Sequence, residues 1–158
     1  MSVSSDAGFG ETEPELLEQM IRTSAARPDD EVKIVGRGTM ALLLGLCRRG
    51  FARASCFVGA GPSASERPID RLWLLDVTSD EQIVSALARF GRGLAGDGRV
   101  LIQDRRPALG GRVPALRMLL ARHGFSLERL APAGVVGGLL FCARRRSVTL
   151  AHPVQHAA

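Results

Sequence analysis

A chain of 158 residues, 46% hydrophobic and 23% charged, has the composition of a soluble globular domain long enough to bury a sizeable core. No apolar run approaches the roughly 18 residues that cross a bilayer. The opening MSVSSDAGFGETEPELLEQ lacks the basic and apolar parts of a secretory signal, so a cytoplasmic protein without a membrane partner is expected.

Residues 1–11 are small and polar and are expected to be disordered. Thr12 and Glu15 have the spacing of a capping box, and Leu16, Leu17, Met20, Ile21 and Ala25 then mark one face of a helix over residues 12–26. Val32–Val35 reads as a short strand entering Gly36-Arg37-Gly38. From Thr39 the run MALLLGLCRRG predicts a buried helix ending at Gly50. A second strand is predicted over Ala54–Val58, a loop over residues 59–68, and a third strand over Leu72–Leu75, apolar throughout as a covered parallel strand is.

Ser79 and Gln82 form another capping box, opening a helix with Ile83, Val84, Leu87 and Phe90 inward. Gly96-Asp97-Gly98 turns into a strand over Val100–Ile102, and a helix follows over Val113–His123, closed by Gly124. Two last strands, residues 126–130 and 138–143, flank Pro132-Ala133-Gly134 and are close enough in sequence to pair antiparallel. Strands alternating with helices imply right-handed βαβ units and a mainly parallel sheet. The folded domain is expected to span residues 12–146, with helix 12–26 packed on it and residues 147–158 a mobile tail.

The charge is uneven. Residues 1–31 carry eight acids against two arginines, whereas the remainder carries nineteen basic side chains against eight acids. The acidic segment can fold back on the basic body. Lys33 is the only lysine. Such a body could attract nucleic acid or a phosphorylated ligand, but no aromatic residues interleave with the arginines, which favours a solvated surface. Arg144-Arg145-Arg146 is read the same way. Cys47, Cys56 and Cys142 stand apart in apolar runs and are expected in the core; no C-x-x-C pair signals a metal site. His123 suits a helix end. His152 and His156 are separated by Pro153, and no nucleophile–base set appears.

Four stretches together resemble the class I S-adenosylmethionine (SAM) dependent methyltransferases across residues 32–144: VKIVGRGTMALLLGLCRRG, IDRLWLLDV, GDGRVLIQD and LLARHGFSLERL. The resemblance implies an α/β, Rossmann-like sheet of about six strands flanked by helices and ending in an antiparallel hairpin. The segment between the second and third strands is too short for that family's usual helix–strand–helix insertion, so one edge strand is missing. It further implies a cofactor site for SAM or S-adenosylhomocysteine (SAH) built from Gly36, Arg37, Gly38, Thr39, Gly59, Asp76 and Val77, with no metal and no assigned catalytic residue. Gly36 and Gly38 would let a ligand approach the backbone and the helix amides.

The sequence departs from the family's pattern where charge matters. Ile34 stands in place of the carboxylate two residues before the first glycine, Met40 in place of a third glycine, and Phe57-Val58-Gly59-Ala60 where an acid closes the second strand. Met40 is expected to intrude on the ligand's space. The reading favoured by these losses is a non-catalytic binding or regulatory domain. An active small methyltransferase and a basic nucleic-acid-associated domain are the alternatives, the latter using Arg37, Arg105, Arg106 and the terminal arginines. Gly36 to Ala41 also matches the dinucleotide fingerprint G-x-G-x-x-A, but the ribose-binding acid about 20 residues on is absent. Asp76 and Asp104 close adjacent strands and could act as an acid–base pair. The simpler reading is that Asp76 caps the next helix, or that Asp104 pairs with Arg105 or Arg106. An incomplete sheet edge and the apolar N-terminal helix make a homodimer or another protein partner reasonable.

Overall fold

The computed structural model describes residues 12–57 (side chains from residue 14), 67–107, 110–134 and 138–147. The Thr12 side chain of the expected capping box, Val58, Gly59, His152 and His156 lie outside the described residues, as do residues 1–11 and 148–158. Chain order is α1 (Thr12–Ser24), β1 (Val32–Val35), α2 (Thr39–Arg48), β2 (Ala54–Phe57), β3 (Ile69–Val77), α3 (Asp80–Phe90), β4 (Leu94–Asp104), α4 (Arg112–Arg122), β5 (Phe125–Pro132) and β6 (Leu139–Arg145), with a 3₁₀ turn at Gly91–Gly93. The six strands form one sheet in the order β2-β1-β3-β4-β6-β5. The first four are parallel, and β6 runs antiparallel to both β4 and β5.

Alternation along β3 divides the core. Leu72 and Leu74 face α3 and α4, while Trp73 and Leu75 face α1 and α2. Leu101, Leu140 and Cys142 extend the second layer, and Val100, Ile102 and Phe141 the first. Strands covered on both faces carry apolar residues on both, which is why these runs read as continuous. Two strands outrun their apolar stretches. β3 begins at Ile69 rather than Leu72, because buried Arg71 is held by Asp30 Oδ2 at 3.2 Å and donates to Asp70 O and Ala25 O at 2.8 and 3.1 Å. β4 begins at Leu94 rather than Val100; Leu94 pairs with Ile69 and Arg99 with Arg71, so the Gly96-Asp97-Gly98 segment is a bulge within the strand.

The described part of the acidic N-terminal segment does lie against the basic body: Arg49 pairs with Glu18 at 2.7 Å, and Arg71 with Asp30. Helix α2 corrects the expectation of a buried helix. Leu42 and Leu46 are buried, but Met40 and Leu44 are 58% and 50% exposed. Cys47 is also exposed and Cys56 half-buried, so only Cys142 is a core cysteine; burial pushes its thiol up to about 11.

Helix α1 ends on an unusual residue. Ala26 N–H donates to Ile21 O at 3.0 Å and Ala25 N–H to Arg22 O at 3.3 Å, closing the helix with Ala25 at φ 51°. That conformation favours glycine. Ala25→Gly is expected to stabilise the fold by about 1 kcal/mol, the left-handed penalty of a Cβ being relieved. The thermal midpoint should rise by roughly 2–4 °C; an unchanged or lower midpoint in differential scanning calorimetry would contradict this.

Candidate functional site

Parallel strands leave their C-terminal ends together, and the crevice there is where open α/β sheets present ligands. In this chain β1, β2 and β3 end at Val35, Phe57 and Val77, and a cavity of about 570 Å³ opens between those ends and α3. Gly36, Arg37, Asp76 and Val77 line it. Gly38 and Thr39 lie beside it: Gly38 precedes α2 with φ 67°, and Thr39 is buried in the first turn.

Gly36 has φ 129°, and a Cβ there would collide with the carbonyl of Leu75. The first glycine is therefore demanded by the contact between the ends of β1 and β3. At Gly38 a Cβ would meet nothing, so only the backbone angle calls for glycine. Helix α2 has no side-chain cap and no acid in its first turn, leaving its first amides available to a ligand. Met40 does not intrude as expected. Its helical position points it outward, away from the cavity wall.

The far wall was not legible in the sequence. The Phe57 and Phe90 rings meet edge-on with centroids 5.2 Å apart, and the Arg89 guanidinium lies 4.2 Å over the Phe57 ring. Lys33 Nζ stands 5.7 Å from Phe90 on the same face of the sheet. A cation over an aromatic face is attracted by its quadrupole, and here the two cations flank the Phe57–Phe90 pair where the end of α3 meets β1 and β2. The signal that could have found this wall was the alternation Lys33/Val35 and Ser55/Phe57, which sends those residues to the α3 side.

Every carboxylate at the ends of β3 and β4 is engaged by arginine. Asp76, at φ 54°, pairs with Arg105 at 3.4 Å, and its N–H donates to Gln103 Oε1 at 3.2 Å. Asp104 is 1% exposed and accepts from the backbone N–H and guanidinium of Arg106 and from the guanidinium of Arg112. Both arginines also reach Asp80, at 2.9 and 3.0 Å. Burial alone would lower the Arg106 pKa, but its hydrogen bonds to Asp104 and Asp80 hold it above the ordinary value. Asp76 and Asp104 are thus not a free acid–base pair, and Asp76 does not cap α3. Ser79 does: the Gln82 N–H donates to its Oγ, and the Ser79 N–H donates back to Gln82 Oε1 at 3.3 Å.

The uncapped amides of α2 beside the cavity would suit a SAM-like ligand, whereas the charged anchors would not. Ile34 is fully buried under α1 and α2, and no acid closes the described part of β2. Arg37 is exposed at the cavity mouth with no ion-pair partner among the described residues. No group of metal-ligating side chains occurs among the described residues, and no helix there is long and apolar enough to cross a membrane.

No protein-family model matches the sequence, and no curated protein matches it either. Solved structures do. The chain is similar to the pyocyanin biosynthetic protein PhzM, with a TM-score of 0.61 and 16% identity over 82% of this chain and 54% of that one. It is similar to SAM-bound CalS10, an amino pentose methyltransferase from Micromonospora echinaspora, with a TM-score of 0.59 and 15% identity over 87% and 92%. It is also similar to the Burkholderia thailandensis 1,6-didemethyltoxoflavin-N1-methyltransferase with bound SAH, with a TM-score of 0.57 and 16% identity over 88% and 80%. The chain spans about half the length of PhzM. At these identities the likeness shows the fold, which is class I methyltransferase-like.

Proposed function

We propose that this is a methyltransferase-like binding domain that keeps the family's cleft but does not transfer methyl groups. The observation carrying this reading is the engagement of Asp76 and Asp104 by arginine beside a strand that has Ile34 in place of an anchoring acid. A charge-assisted hydrogen bond contributes about 1.5–3 kcal/mol, so two missing carboxylates weaken SAM on the order of a hundredfold or more. Arg37 compounds the loss, because SAM carries a positive sulfonium and SAH does not.

Calorimetric titration with both ligands tests this. SAM is expected to bind more weakly than about 100 μM, and SAH no more weakly than SAM. Micromolar SAM affinity would overturn the reading. It would favour an active small methyltransferase, which the outward position of Met40 and the SAM- and SAH-bound structural relatives support.

A further inference from the structure

We propose that the end of the sheet opposite the cleft, around the last residues of β6, docks the phosphate backbone of a nucleic-acid duplex. This goes beyond the cleft reading and does not depend on it. Three chain segments bring arginines together there. The Arg146 N–H donates to Gly124 O at 2.8 Å, which sets it beside the end of α4 with Arg122 and His123. The Arg145 side chain donates to Gly91 O and Leu94 O at 3.3 and 3.0 Å, drawing β6 onto the 3₁₀ turn that carries Arg92. Arg144 stands directly across from Arg99 in the β4–β6 register.

The acids facing this group are few. Glu128 accepts from Arg99 Nε at 2.9 Å and lies 4.0 Å from Arg144. Asp97 sits on the bulge just before Arg99. Asp70, next to Ile69 opposite Leu94, accepts from the Glu31 N–H. Around β6 itself, six arginines against Glu128 and Asp97 leave an excess of four positive charges, with Arg99 and Arg144 on the α1 side of the sheet and Arg145 on the α3 side. Arg92, Arg122 and Arg146 are exposed and have no ion-pair partner among the described residues.

The residue types narrow the partner. All six cations are arginine, whose planar fork matches phosphate oxygens in pairs. Phe90 and Phe125, the aromatic residues beside these arginines, are both buried, so no stacking platform for a single strand is offered. An anionic membrane or a protein partner would draw on several apolar anchors; here one exposed large apolar residue, Met118, stands beside Arg122, a turn earlier on the same face of α4. What remains is backbone contact without base readout.

The test is fluorescence polarisation of the full chain with a labelled mixed-sequence 24-base-pair duplex, as RNA and as DNA, from 50 to 300 mM KCl. Binding at 50 mM is expected, with log affinity falling against log salt at a slope of about −3 to −5, near 0.9 per neutralised phosphate. Arg122→Glu/Arg146→Glu should weaken binding at least tenfold and flatten that slope by about two. Arg92→Glu, which alters neither β6 nor α4, should weaken it several-fold. Arg37→Glu, the same charge change at the cleft end, should leave affinity within twofold. No binding at 50 mM, equal loss in Arg37→Glu, or tighter binding to the single strand would each overturn the proposal. So would stronger binding to phosphatidylserine vesicles than to either duplex.

Discussion

Gly36→Ala is expected to lower stability by about 3–5 kcal/mol, whereas Gly38→Ala, two residues on, should cost only about 1 kcal/mol. The two glycines look equivalent as a motif but answer to different physics. At Gly36 the added methyl meets the Leu75 carbonyl, and φ is 129°. Backbone strain of this kind costs about 1–3 kcal/mol, and forced displacement of a packed neighbour a further 1–3 kcal/mol. At Gly38 the space is open and φ is 67°, so the left-handed penalty stands alone. Trp73 is the only tryptophan and is fully buried, so urea unfolding followed by its fluorescence reports both variants directly. Equal costs would mean that the β1–β3 contact is not what holds the cleft's first turn.

The elements that local chemistry dictates were legible in the sequence. Strand–glycine–helix at Val35 to Thr39, the Ser79/Gln82 capping box and the closing hairpin each depend on residues a few positions apart. The elements extended by distant partners were not. Arg71 belongs in β3 because Asp30 and the end of α1 receive its guanidinium, and no local pattern announces that a charged residue will be buried. The same limit applied to the site. Gly36 and Arg37 stand out in the sequence by their place after a strand, and Asp76 and Val77 by their place at the end of one. The Phe57, Arg89 and Phe90 wall forms only when β2 and the end of α3 meet on one face of the sheet. The expectation for Met40 went wrong for a related reason. A motif position predicts what neighbours a residue has along the chain, but rotation of α2 decides whether its side chain faces the ligand or solvent.

Asp104 should prove the most sensitive charged position in the molecule. Asp104→Ala is expected to cost about 3–5 kcal/mol, since removing one member of a buried ion pair strands its partners. Arg106 and Arg112 would keep Asp80, but that carboxylate is half-exposed and already shared between them. Asp104→Asn should cost less, because an amide oxygen can still accept from the Arg106 N–H. Asp76→Ala should cost about 1–2 kcal/mol, its pair with Arg105 being largely solvated and an alanine less at ease than aspartate at φ 54°. For a chain of this size 4 kcal/mol corresponds to a fall of roughly 8–16 °C in thermal midpoint, well within reach of calorimetry. The position also bears on function. Asp104 ties the arginines after β4 and at the start of α4 to Asp80 at the start of α3, while the adjacent Gln103 holds the Asp76 backbone. The network holds the start of α3 to the ends of the strands. If Asp104→Ala and Asp76→Ala proved equally mild, the arginines would be surface charges and this account of the cleft's rigidity would fail.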